Sequence, residues 1–265
     1  GAYHVDTVEV RSRAVYTNNI PCGAMRGFGV NQINFAVESC VDELCEMGGF
    51  DRWQIRYDNA LTPGGMTSTG QVLHSGIGIR KTLEAVKDVF QQSKYAGIAC
   101  GIKNTGIGNG VPDTGKVKIV IESPERILIH QGWTEMGQGV YTMAVQFFCE
   151  VTGLAPELVE VRVDTSEESE SGMTTASRGT SIIGHSVIDA GRKLKADLDK
   201  HSLQELTGKV YEGEWTCDWT TALESGTENI QTHYSYSYAT QVVTLDDSGK
   251  VDTVYAAHDA GRIIN

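Results

Sequence analysis

Residues 3–16 (YHVDTVEVRSRAVY) alternate between apolar and polar positions, the two-residue period of a half-buried strand. A turn follows at 17–23, where Asn18, Asn19, Pro21 and Gly23 cluster. The period then changes. Val30, Ile33, Ala36, Val37, Cys40, Val41 and Leu44 fall along one stripe of a helix, which Gly48 and Gly49 should end. A second helix is predicted over Ile79–Gln92 after Gly78. Between about Ala96 and His130 strand patterns return as GIACGI, VKIVIE, a turn at SPER, and ILIH, which read as hairpin-like pairing. Another helix follows MGQG and runs to about Val151, with Gly153 as its stop; LVEVRVDT reads as a strand and SIIGHSVIDAGRKLKADLDKH as a long helix. The chain closes on a β-hairpin, YSYSYATQVVTLDD and VDTVYAAHDAG around the turn SGK. These elements predict an α+β fold of helices packed on mixed sheets in two subdomains. The first spans roughly 1–93 and the second 94–265, with the terminal hairpin able to return to the first.

Composition narrows the function. The chain has 265 residues, enough for a sizeable core, and a net charge of −12, from 22 Lys+Arg against 34 Asp+Glu. Phosphate backbones need a basic surface, so nucleic acid is not an expected partner. There is no apolar run of about 18 residues to span a membrane, and no charged-then-apolar secretory segment opens the chain. The six cysteines include no C-x-x-C pair and read as reduced, mostly buried thiols of a cytoplasmic protein, so neither a zinc nor an iron–sulfur site is expected in this chain. The seven histidines are scattered, with no H-x-x-x-H pair on a helix. The acidic run 164–170 reads as a solvated loop, Tyr234, Tyr236 and Tyr238 as sheet packing, and His185 as facing a helix neighbour. The glycine-rich stretch 101–115 reads as a loop between strands rather than a domain boundary.

Three loops share one design. GAMRGFG (23–29), TEMGQG (134–139) and TTASRGT (174–180) each run straight into a predicted helix. A helix N-terminus presents unpaired N–H groups and partial positive charge, and glycine lets the backbone approach a ligand closely. With Arg26 and Arg178 in two of the loops, and Gln138 and Ser177 as neutral donors, the set suits a large anionic cofactor. A dinucleotide G-x-G-x-x-G fingerprint and a P-loop are both missing.

Arg26-Gly27-Phe28-Gly29, Thr134 to Gly139, and Thr175 to Thr180 resemble, in order, segments of the molybdenum-binding subunit of the xanthine dehydrogenase/aldehyde oxidase family. The tail Asp259 to Asn265 is similar to that family's D-x-G-x-x-x-N segment, and the resemblance covers essentially the whole chain. It implies the molybdenum-cofactor-binding fold of that family. It also implies hydroxylation of an N-heteroaromatic such as a purine, or of an aldehyde, with oxygen from water. The implied cofactor is molybdopterin, in some relatives extended as a cytosine dinucleotide. A [2Fe–2S] centre and FAD would sit on partner domains or subunits. By this resemblance Arg26 lies beside the molybdenum as the catalytic residue. Met136, Gly137 and Gln138 hold the pterin and its phosphate, while Thr175, Ala176 and Ser177, with Arg178, line the pterin. Phe28, Thr175 and Ala176 face the substrate.

Two departures bear on activity. Neither the family's G-E-x-P-like glutamate nor its Q-x-G-G-F-G-G-type loop occurs here, so the chain reads as a central fragment, inactive alone; Glu135 sits inside the cofactor loop and is not the missing base. The stretch Asn104 to Gly110 carries no aromatic where purine-oxidising relatives have a second phenylalanine, so the substrate is either held differently or is not a purine. A second reading stays open: a non-catalytic molybdopterin-binding or cofactor-chaperone module.

Overall fold

The computed structural model describes residues 1–21, 23–163 and 171–265; Cys22 and the acidic run 164–170 lie outside the described residues. In chain order the elements are α1 (Val30–Gly48), α2 (Arg52–Asn59), β1 (Gly65–Met66), β2 (Val72–Leu73), α3 (Ile79–Gln92) and β3 (Ala96–Thr105). There follow β4 (Asp113–Ser123), β5 (Arg126–Gln131), α4 (Val140–Thr152), β6 (Val159–Arg162), α5 (Gly179–Leu198), β7 (Val210–Cys217), β8 (Ser235–Leu245) and β9 (Val251–Asp259). The fold is α+β. Its contacts divide into two units, residues 1–105 with 221–262, and residues 106–220 with 263–265.

In the first unit β3, β8 and β9 form an antiparallel sheet with β8 in the centre. Helix α3 turns Ile79, Leu83 and Val86 into a core shared with Trp53, Ile98, Tyr238 and Val242. Thr82, on the same stripe, bonds Thr240 of β8 at 2.8 Å, so a buried hydroxyl pair pins helix to sheet without an orphaned polar group. Helix α2 is started by the Asp51 carboxylate, which accepts the Gln54 N–H at 2.7 Å.

The second unit has a four-stranded sheet in the order β6-β5-β4-β7, parallel between β5 and β6 and antiparallel elsewhere. Strand β4 alternates, with Val117, Ile119 and Ile121 buried beside Phe148 of α4 and Ile182, Ile183, Val187 and Leu194 of α5. Two strand glycines let α5 lie this close. A Cβ on Gly115 would overlap the Ile182 side chain, and one on Gly213 would overlap the Ser186 carbonyl oxygen.

Three predicted helices appear within a residue or two of their expected ends, and the fourth, expected over Ser181–His201, spans Gly179–Leu198. The departures lie in the strands and boundaries. Residues 3–16 do not form a strand: Tyr3 makes an isolated bridge to Ala60, and residues 4–20 are exposed. An alternating pattern becomes a strand only with a neighbour to bond, and among the described residues none runs along it. GIACGI belongs to β3, whose partner is β8, not the VKIVIE strand that follows it in sequence. That pairing carries residues 94–105 into the first unit, so the division falls at 105/106, inside the stretch 101–115 expected to be an ordinary loop. His185 does not face a helix neighbour. It stacks on Trp215 of β7 at 4.8 Å, because α5 lies across that strand. Helix α2 and strand β7 carried too short or too polar a pattern to be predicted. No helix of the described residues is long and apolar enough to cross a membrane.

Candidate functional site

The loop Thr134–Gly139 leaves the sheet from a rigid point. Trp133 is buried, its backbone N–H donates to Gln131 Oε1 at 2.7 Å, and its ring N–H donates to the Ser171 carbonyl at 3.1 Å. Gly137 and Gly139 have φ of 86° and 78°, a left-handed conformation that glycine adopts without steric cost. This geometry turns several amides toward one point. Glu135 Oε1 accepts the N–H of Gly137 at 2.8 Å and of Gly139 at 2.9 Å, and Oε2 accepts that of Tyr141 at 3.4 Å. These bonds, Gly139's first, hold the Glu135 carboxyl below the ordinary carboxylate range. Gln138 closes the loop on itself, its side-chain N–H donating to the Thr134 carbonyl at 2.8 Å while its oxygen accepts the Met136 N–H. The Met136 side chain is exposed.

The loop Thr174–Thr180 lies beside it. Thr134 N–H donates to Thr174 Oγ1 at 2.9 Å, joining the two. Ala176 and Ser177 have φ of 59° and 52°. A non-glycine residue there costs about 1 kcal/mol or more, and such a pair persists only where its surroundings impose it. Here Gly106 N–H donates to the Ala176 carbonyl at 3.0 Å. Arg178 does the rest from below. It is 2% exposed, pairs with Asp113, and donates to the carbonyls of Met173 at 2.7 Å and Ser171 at 3.4 Å. Its guanidinium also lies over the Trp133 ring, 5.1 Å from the centroid. The second oxygen of Asp113 accepts the Ile107 N–H at 3.2 Å. Segments 106–113, 134–139 and 171–180 therefore meet within the second unit. Thr175 and Ala176 are half-buried there, Ser177 is exposed, and Arg178 points into the scaffold.

The third loop, 23–29, belongs to the first unit. Phe28 has φ 51° between Gly27 and Gly29 at 99° and 92°, and its ring is 72% exposed. The turn is held by Phe28 N–H donating to the Met25 carbonyl at 2.6 Å and by Asn31 donating to the Arg26 carbonyl at 3.2 Å. A hollow of about 310 Å³ is lined by Met25, Arg26, Phe28, Asn31 and Gln32 among others.

Residues 74–265 match the family model of the molybdopterin cofactor-binding domain, and residues 1–60 match a second model of the same description. The chain belongs to the molybdopterin cofactor-binding domains of the xanthine dehydrogenase/aldehyde oxidase family. It is 29% identical over 215 residues to a probable xanthine dehydrogenase subunit of Bacillus subtilis, covering 77% of this chain and 29% of that protein. It is 27% identical to the aldehyde oxidoreductase of Megalodesulfovibrio gigas, covering 96% of this chain and 28% of that one. The solved structure of aldehyde oxidoreductase from Desulfovibrio gigas superposes with a TM-score of 0.78 at 25% identity, over 91% of this chain and 30% of that one. The chain thus spans less than a third of the length of these relatives.

The candidate loops can be tested for fit to an anionic cofactor. The amides of Gly137, Gly139 and Tyr141 already hold the two oxygens of a carboxylate, so this backbone is shaped to bind an anionic oxygen group. Around Gly139, no atom lies within 4 Å of where a Cβ would stand, which leaves that face of the backbone open to a ligand. Among the described residues no group of three or more His, Cys, Asp or Glu is placed to hold a metal ion directly. Reasoning from sequence missed the scaffold beneath the loops, Asp113, Trp133 and Ser171. Their only local sign is a position at the edge of a glycine-rich or loop segment.

Proposed function

We propose that this chain, in its full-length context, is the cofactor-holding part of a molybdenum hydroxylase that oxidises an N-heteroaromatic or an aldehyde. When bound, the molybdenum centre supplies the redox chemistry that places water-derived oxygen on a carbon. The chain's own residues bind and orient. Met136, Gly137 and Gln138 hold the pterin and its phosphate, and Thr175, Ala176 and Ser177 lie along the pterin. Arg178 keeps that second turn in shape from the interior. Arg26 places a fixed positive charge where negative charge gathers in the transition state. The exposed ring of Phe28 offers one flat apolar face to a ring substrate. The observation that carries this reading is the junction of the two loops through Thr134 and Thr174, each loop with left-handed backbone at a helix N-terminus.

Relatives named for xanthine dehydrogenase and for aldehyde oxidoreductase support both substrate classes. The stretch Asn104 to Gly110, without an aromatic, favours the non-purine choice. Electrons would leave through a [2Fe–2S] centre and FAD on partner domains or subunits. The names of two relatives support this, since each is one subunit of a dehydrogenase made of several. The five described cysteines are free thiols, in keeping with a reducing, cytoplasmic setting.

The test uses the full protein produced in a host that makes the cofactor. Gly137→Val puts a branched side chain on a left-handed backbone and blocks close approach. Molybdenum content should fall severalfold or more, and a normal content would overturn the assignment of this loop. Arg26→Ala should keep its molybdenum and lose about 100-fold in turnover; unchanged turnover would remove Arg26 from the mechanism. A parent protein that holds molybdenum yet oxidises neither substrate class would favour the non-catalytic module.

A further inference from the structure

Helix α1 is seated by its polar side. Its buried residues are Glu38 and Cys45, and Glu38 is the carboxylate that accepts from Arg56, the Tyr3 hydroxyl and the Cys100 N–H. The apolar stripe faces away. Val30, Ile33, Val37, Cys40, Leu44 and Met47 are spaced alternately by three and four residues, the period of a seam between two packed helices. Val30 is half-buried and the others are exposed, Ile33 at 67%, Leu44 at 56% and Met47 at 85%. The stripe runs roughly 25 Å along the helix at about 1.5 Å per residue. An amphipathic helix ordinarily turns such a stripe inward, and a contiguous apolar patch left on a surface marks an interaction site. The same unit leaves Val10, Val15, Tyr16 and Ile20 exposed in the segment before α1, so both features lack an apolar cover among the described residues.

We propose that this stripe is the docking face for an amphipathic helix in the part of the parent protein outside residues 1–265. That part is large, since this chain matches less than a third of the length of its relatives. The alternating spacing suits another helix lying along α1, its side chains fitting between those of the stripe. Glu43 is exposed at the stripe's edge beside Cys40 and Met47, with Glu46, bonded to Arg52 at 2.5 Å, behind it. The docking helix therefore carries lysine or arginine along the facing edge of its own apolar stripe. A net charge of −12 on this chain works against a second copy as the cover. The proposal takes from the family assignment only the length of the parent and does not depend on its substrate or on the role of any loop.

The test uses the full-length parent protein. Labelling of Cys40 by N-ethylmaleimide, followed by mass spectrometry of its peptide, should be at least about 100-fold slower in the native parent than in urea, and independent of protein concentration. Protection below about tenfold would show an open stripe, and protection lost on dilution would give the stripe to a second copy; either result overturns the proposal. This arm needs no substitution. Met47→p-benzoylphenylalanine, at the exposed end of the stripe, should crosslink on illumination within one polypeptide, to a helical segment outside residues 1–265 that carries basic residues beside its apolar positions. Crosslinks to residues 1–265 alone, to a second polypeptide or to a non-helical segment would refute it. Leu44→Asp should speed Cys40 labelling by about tenfold or more, whereas Leu44→Met, of similar volume and still apolar, should leave it within about twofold. Equal rates in all three proteins would mean that α1 does not pack through this stripe.

Discussion

Arg56 in the first unit and Arg178 in the second are both almost wholly buried against a carboxylate, yet they hold different things in place. Arg56 donates to Glu38 at 2.9 Å, to Asp42 at 2.9 Å and to the carbonyl of Arg52 at 3.0 Å. Glu38 in turn accepts from the Tyr3 hydroxyl at 2.6 Å and the Cys100 N–H at 2.9 Å. One ion pair thereby ties together α1, α2, β3 and the start of the chain. Burial, reinforced by Cys100 and Glu38, pushes the Tyr3 hydroxyl pKa well up, so it remains a donor to that carboxylate. Arg178 is satisfied less completely. Its Nε is buried without a hydrogen-bond partner, and its remaining contacts are an aromatic face and the carbonyls of residues 171 and 173. Desolvating such pairs is costly, and a hydrophobic replacement is often no less stable. What these two retain is geometry: the seating of helices in one unit, and the shape of a strained turn in the other.

Breaking the first pair should have the larger effect on stability. Glu38→Ala leaves Arg56 buried without its main counter-charge and should cost about 3–5 kcal/mol in urea unfolding of the full protein. A loss below about 1 kcal/mol would show that the network is incidental to the seating of α1. Asp113→Asn keeps the shape but removes the charge facing Arg178. A loss of about 2 kcal/mol is expected, and molybdenum content should drop further than in Glu38→Ala when both are compared under conditions where they are fully folded. Equal molybdenum content in the two would reduce Arg178 to a second structural pair and erase the contrast.

The smallest effect concerns Glu135, whose carboxylate is the anion that the loop amides hold. Because its folded pKa is depressed, the stabilisation is fully present above the ordinary glutamate range and is lost as pH falls through the lowered folded value. Amide exchange at Gly137 and Gly139 should therefore remain slow on acidification until below that range. Glu135→Gln should exchange faster at neutral pH. Identical protection in both proteins would mean that the glycine backbone alone shapes the loop.

Much of the fold was legible because several helices carry complete apolar stripes, two of them (α1 and α4) ending at glycine: α1, α3 and α4 read almost to the residue, and α5 nearly so. Position and neighbours made the candidate loops legible too, since Gly137 and Gly139 precede a helix and Arg178 lies in a polar turn. The orientation of Arg178 was not legible. A charged residue in a glycine-rich loop reads as facing a ligand, and only Asp113, distant in sequence, turns it inward. The same limit explains residues 3–16, whose alternating pattern was right for a strand while the neighbour it needs was not in place.

Periodicity, stop residues and loop composition are local, so the amino-acid sequence alone determined where the principal helices lie and which short segments form glycine-rich turns at their N-termini. Which strand pairs with which, that β3 joins β8 across more than a hundred residues, and that Asp113, Trp133 and Ser171 underlie the loops were decided only by tertiary structure. Those are relations between distant residues, set by which surfaces bury one another and where each buried charge finds its partner, and no local pattern encodes them.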